Sequence, residues 1–359
     1  MSDEKVTTYD KLVNALRHKL YDYVDRIITT EDQYFSRLET LSLTLRNCKK
    51  SLQEFHHYTP KNIVALDGAS ATFNLEIGRI GMYLALAIIF PSMKRIYVKD
   101  SYGIVPEDPS EITEYRDPII FNRLLDLRRE RKIFELATYI VENIKEIEVV
   151  LIDGPLLPTP VTGLENIDVK LNAEYVRYFK AIERLHKLCY EEGIILIGFV
   201  KRVRSKLIKG HIQGLKLTRP ENLERDVSLF PDTYDSILVD ILLDEGELFP
   251  YPPIIVEHLS SKNIRVLCSF VKTKEDATPY RIDVAGGTNR KEESFNKAVG
   301  LILEHMTIYG IPYPILKIDE EVKLSRRLVR ELYDDLRYRC FMKTHGRLIS
   351  LKAIWGEFL

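Results

Sequence analysis

The chain has 359 residues, 45% of them hydrophobic and 29% charged, enough for one large elaborated domain or two ordinary ones. Its 52 Lys and Arg almost balance its 53 Asp and Glu, for a net charge of -1, so global charge gives no support for a polyanion partner and any basic surface must be local. Four scattered cysteines (Cys48, Cys189, Cys268, Cys340) with no CxxC spacing argue against a zinc site. They fit a reducing compartment, and with no signal-peptide core and no apolar run of membrane-spanning length the expectation is a soluble intracellular protein.

Residues 8–58 read as a helical leader, with a break near Thr29–Asp32 and a rough 3/4 spacing of Leu12, Leu16, Leu20, Tyr23, Val24 and Ile27. Residues 63–67 form a short apolar strand that ends in Asp67-Gly68. Residues 81–90 are apolar on both faces and read as a second, buried strand, with a third at 95–99; short connections make the three an antiparallel meander. A helix is expected over 121–144, a strand over 149–153 ending in Asp153-Gly154, a helix over 171–191 and a strand over 194–200. Residues 204–253 read as mostly loop. A hairpin over 265–272 and 280–284, a helix over 295–309, a rigid Gly310-Ile311-Pro312-Tyr313-Pro314 turn and a long final helix over 318–337 complete the chain.

The order β-β-β-α-β-α-β, with the last two strands parallel to the first, is that of an RNase H-like core. The expected fold is therefore α/β: a mixed five-stranded sheet flanked by helices, with a helical N-terminal leader and C-terminal insertions. We read 1–359 as one domain, made of a leader (1–58), the core (59–203) and insertions completing it (204–359).

A strand ending in Asp-Gly delivers a carboxylate to the sheet rim. Two side by side place like charges together, and a divalent cation relieves the repulsion. Asp67 is the expected central ligand and Asp153 the second, within a set of three or four carboxylates holding two ions. For the third, Glu135 is preferred over Glu130, both on the intervening helix; a solvated helix acid is an equal alternative for each. For the fourth, Asp319 opens the last helix, where an N-cap role is equally consistent, with Glu320 and Glu321 in reserve. Lys201 follows directly on the strand 194–200 at the same rim and could hold a phosphate, beside Arg202 and Arg204. Lys272 and Lys274, with Arg281, could form a second phosphate strip. No P-loop, GxGxxG, HxxxH or GxSxG competes.

These pieces resemble the archaeal NurA nucleases. The matching segments are Ala65-Leu66-Asp67-Gly68-Ala69-Ser70, Glu135, Val150-Leu151-Ile152-Asp153-Gly154-Pro155, Ile197-Gly198-Phe199-Val200-Lys201 and the late Gly310–Leu316 turn, in the family's order over most of the chain. The resemblance implies a manganese-dependent DNA nuclease (two ions, with magnesium an alternative). It implies 5′–3′ degradation of single- and double-stranded DNA and nicking of single strands. It also implies a homodimer that works with the hexameric ATPase HerA and the Mre11–Rad50 machinery in end resection. A cytoplasmic, nucleoid-associated location follows, and abundant Ile, Glu, Lys and Arg fit a thermophile. Tyr313 matches the family's late aromatic, which implies a catalytic role near the scissile phosphate, with core packing an equal alternative. Where members tend to carry a His after the Tyr-Pro turn, this chain has Asp319, which can also ligate manganese. A non-catalytic scaffolding subunit and an RNase H-like enzyme acting on RNA or DNA junctions are the competing readings.

Overall fold

The run that begins at Ile63 sets the middle of the sheet, because its aliphatic and β-branched side chains suit a strand buried on both faces. The computed structural model describes residues 13, 15–26, 45–75, 78–158, 168–208, 211, 234–258, 261–286, 291–324 and 326–343. The strands are β1 (Lys50–Ser51), β2 (Ile63–Leu75), β3 (Gly78–Phe90), β4 (Lys94–Ile96), β5 (Tyr102–Val105), β6 (Val149–Asp153), β7 (Ile195–Val200), β8 (Glu247–His258), β9 (Ser261–Lys272) and β10 (Tyr280–Gly286). The helices are α1 (15–26), α2 (Pro118–Asn143), α3 (Val169–Glu191), α4 (Asp235–Leu242), α5 (Lys291–Glu304), α6 (Tyr313–Val322) and α7 (Arg326–Lys343).

β2, β3 and β4 form the antiparallel meander, and β6 and β7 join in parallel through the helical crossovers α2 and α3. The order β7-β6-β2-β3-β4 is the RNase H-like core. The sheet is larger than expected, however. β10, β9, β8 and β1 continue it antiparallel beyond β7, and β5 pairs with β3, giving ten strands rather than five.

Two apolar layers sandwich this sheet. One packs Val64, Leu66, Val150 and Ile152 against Leu124, Phe134, Ile182 and their neighbours on α2 and α3. The other packs Ile63, Ala65, Val149 and Leu151 against Phe295, Ile302, Ile315 and Ile318 on α5 and α6. Each fully buried Leu, Ile or Phe contributes about 1.5–3 kcal/mol relative to exposure.

Several expectations need correction. β2 does not end at Asp67 but runs on to Leu75. Gly68 is there for close approach: a Cβ would lie 2.9 Å from Arg129 Cγ, 3.0 Å from Ile133 Cδ1 and 3.0 Å from the Leu84 carbonyl, so it lets α2 press on the strand. β8 lies where a loop was expected. Pro250, Pro252 and Pro253 break the alternation, and the register shifts between Phe249 and Ile254, as strand prolines require. The final helix is two. Tyr313 and Pro314 open α6, with Pro in the first turn where its missing N–H costs nothing, and α7 follows after Lys323-Leu324. Residues 46–54 are two short 3-10 turns around β1, and 55–58 are irregular, not helix. The predicted break at Thr29–Asp32 lies outside the described residues.

Candidate functional site

Strand alternation decides which acids can meet. Asp67 and Asp153 continue the set Ile63, Ala65, Val149 and Leu151, so both carboxylates emerge on the α6 face. The parallel register pairs Ile63 with Val149 and Leu66 with Ile152, which carries Asp67 alongside Asp153. α6 packs over β2, β3 and β6 and supplies Asp319. Ligand oxygens of the three carboxylates lie within 4.8 Å of one another, and among the described residues no other His, Cys, Asp and Glu side chains form such a group.

Lys201, the residue after β7, closes the cluster. Its Nζ lies 2.6 Å from Asp153 Oδ2 and 3.4 Å from Asp319 Oδ1, while Lys323 Nζ lies 3.1 Å from Asp319 Oδ2. The Gly68 amide donates to Asp67 Oδ1 at 2.6 Å. Burial, then the charge of Asp153, pushes the Asp67 carboxyl up to about 7, although Gly68 and Lys201 oppose the shift. Burial also raises Asp153, against the pull of Lys201. Asp319 is half-buried, yet Lys201 and Lys323 outweigh that burial and hold its carboxyl below the usual range. Such a cluster of hard oxygen donors, one of them kept from full ionisation by burial and a neighbouring carboxylate, fits a divalent cation.

The structure does not bring the helix glutamates to this group. α2 packs on the opposite face of the sheet, and Glu135 there accepts from Arg131 at 2.8 Å and Lys132 at 2.7 Å. Those cations hold its carboxyl below the usual range in spite of burial. Glu130 lies beside Arg129 and Tyr178, and burial raises its carboxyl. Helical spacing showed that each adjoins the apolar stripe, but not which face of the sheet that stripe covers. Glu321 is engaged by Arg95 in a two-pronged pair, and Glu320 is exposed. Tyr313 stands at the first turn of α6, half-exposed, with its ring edge-on to Phe90 at 5.9 Å and about 9 Å along the axis from Asp319. Arg202 and Arg204 are exposed just past Lys201. Lys272 is tied to the Asp240 carboxylate at 3.0 Å on α4, and Arg281 is buried, so neither forms a free phosphate strip.

One group escaped the sequence reading. Asp283 on β10 is fully buried, takes two 2.8 Å bonds from Arg281, and accepts the Leu156 amide at 3.1 Å. His186 Nε2 lies 3.2 Å from the Leu156 carbonyl, and burial pushes its pKa down to about 4, so it stays neutral. Asp235, also buried, accepts from Ser205 Oγ and the Leu207 and Ile208 amides. The segments that leave Asp153 and Lys201 are thus both anchored from beneath. Gly198 allows the first to lie flat, since a Cβ there would meet the Gly154 carbonyl at 2.6 Å. The only sequence signal was charge within an apolar strand, Arg281-Ile282-Asp283-Val284.

A family model for the NurA domain matches residues 61–324. Solved structures align over most of both chains. The NurA nuclease from Sulfolobus solfataricus is 16% identical over 91% of this chain and 98% of that one, with a TM-score of 0.60. A second crystal structure of NurA gives 11% identity, 89% and 97% coverage and a TM-score of 0.55. A crystal structure of NurA with manganese gives 13%, 87%, 97% and 0.53. Among curated protein sequences nothing matches.

Proposed function

The chain belongs to the NurA family, and from that membership and the site we propose a divalent-metal-dependent nuclease that hydrolyses the phosphodiester bonds of DNA. The observation that carries this reading is the convergence of Asp67, Asp153 and Asp319 from two strands and a helix, beside Lys201. A cation bound there, manganese by analogy with the manganese-bound NurA structure, supplies Lewis acidity and a bound water of lowered pKa. Asp67, Asp153 and Asp319 would hold it. Lys201, beside Asp153 and Asp319, would hold a non-bridging phosphate oxygen. Arg202 and Arg204 extend positive charge along the departing chain.

At the finer level we propose 5′–3′ exonuclease action on single- and double-stranded DNA with single-strand nicking, in end resection. The proposed form is a homodimer partnered by a HerA-type ATPase and the Mre11–Rad50 machinery. The continuous sheet from β1 to β4 supports reading 1–359 as one unit. The test compares manganese-dependent degradation of end-labelled linear DNA, circular DNA and RNA by wild type and Asp67→Ala. Loss of linear-DNA degradation in Asp67→Ala is expected. Equal activity in the variant, or preference for RNA, overturns the reading.

A further inference from the structure

Past the catalytic carboxylates the face that carries Asp67 is open for two rows, between α6 and α7, whose Val329 and Tyr333 close over Phe73, Ile80 and Met82. α6 covers it only as far as Arg95, which reaches Glu321 from β4. Beyond that level two rows run from β2 to the outer edge. In the first, Asp67 pairs with Leu86 on β3, and Tyr97 stands next, one residue past the Ala87–Ile96 pair. In the second, Ala69 pairs with Leu84, which pairs with Tyr102 on β5.

Both tyrosines face the same way as Asp67. Ile96 and Val98 pack into the α2–α3 layer, so Tyr97 between them turns to the other side, where it is 69% exposed. Tyr83 belongs to the α2–α3 layer and lies against Gly103, so the neighbouring Leu84–Tyr102 pair faces away from it, with Tyr102 55% exposed. Ile104, in the row beyond, is exposed as well. Tyr97 stands two strand spacings, roughly 10 Å, from Asp67, and Tyr102 is about 7 Å further along the strands. The floor between them is uncharged and partly exposed: Leu86, Leu84 and Ala69.

We propose that Tyr97 and Tyr102 are a stacking track for the bases of a single DNA strand whose backbone lies at the Asp67–Asp153–Asp319 site. This rests on the nuclease reading and gives that site a base-binding arm. Charge is divided as such a ligand requires. Lys201, Lys323 and Arg202 lie with the carboxylates, where phosphates go, whereas the tyrosines offer flat π-faces over an uncharged floor, with Arg95 beside them already paired to Glu321. Aromatic stacking of this kind tolerates any base sequence.

The test uses the full chain and a labelled oligo-dT in EDTA, so that binding is read by anisotropy without cleavage, beside the same strand carrying abasic residues near its 5′ end. Tyr97→Ala is expected to weaken binding of the intact strand about 10-fold and Tyr97→Ala/Tyr102→Ala further, with Tyr97→Phe near wild type. The abasic strand should bind wild type as weakly as the intact strand binds the double variant, which should not distinguish the two. Alanine variants that bind and degrade single strands like wild type, while wild type cleaves, overturn the track and leave the nuclease standing. A change of sedimentation with unchanged DNA binding also overturns it, by assigning the face to a second copy of the chain. If wild type neither binds nor cleaves DNA, both readings fall together.

Discussion

The two faces of the sheet carry similar charged residues and use them differently. On the α6 face three carboxylates look at each other across 4.8 Å, and Asp67 is pushed up to about 7. On the α2–α3 face the acids look at arginines: Glu174, almost fully buried, takes Arg131 at 2.5 Å and Arg128 at 3.4 Å, and Glu135 takes Arg131 and Lys132. Like charge gathered against its own repulsion marks a candidate cation site. Opposite charges joined in direct ion pairs mark a strut.

The sharpest way to break that contrast is to remove one acid from each face. Asp153→Ala should lower manganese-dependent DNA cleavage by about 1,000-fold or more, since a proposed direct ligand is lost, whereas Glu135→Ala should stay within about threefold of wild type. Initial rates on end-labelled DNA decide; comparable loss in both variants would erase the distinction. Next in size, Glu174→Ala leaves two arginines facing each other in the interior and should cost about 3 kcal/mol in urea unfolding, with cleavage per folded molecule unchanged.

The opposite sign is expected on the α6 face. The folded carboxyl of Asp67 lies above its ordinary value, so between about pH 4 and 7 the metal-free folded chain holds a proton that the unfolded chain has released. Stability therefore falls as pH rises through this window. Asp67→Asn removes that slope: it should stabilise the metal-free protein by about 2 kcal/mol at pH 8 and by almost nothing at pH 4, read as thermal midpoints in EDTA. A variant less stable than wild type at pH 8 would show that Asp67 is held by favourable contacts. The smallest effect is expected from Asp319→Asn. Asp319 is the most exposed of the three and its carboxyl is already satisfied by Lys201 and Lys323, so a loss of about 10-fold with a higher manganese requirement is expected, measured by metal titration.

What was legible in the sequence was whatever local periodicity expresses. β3, α2, β6, α3 and β7 stand within a few residues of where apolar runs and helical stripes place them, and the Asp67–Asp153 pairing follows once the strands are known to be parallel. The glutamates were not legible, because a helix stripe says which side is buried but not which face of the sheet it meets. β8 hid behind its prolines. The anchoring of Leu156 by Asp283 joins residues 127 positions apart and leaves no local trace beyond two charges in an apolar strand.

That anchor has a consequence for synthesis. A ribosome that has released residues 1–201 has already made Asp67, Asp153 and Lys201, yet β10 with Arg281 and Asp283, and Asp319 on α6, are still to come. The site is thus assembled from distant parts of one chain and completed only by its last third. A nascent or prematurely terminated chain carries Asp67 and Asp153 without the geometry, so the proposed DNA cleavage would arrive with the finished fold and not before it.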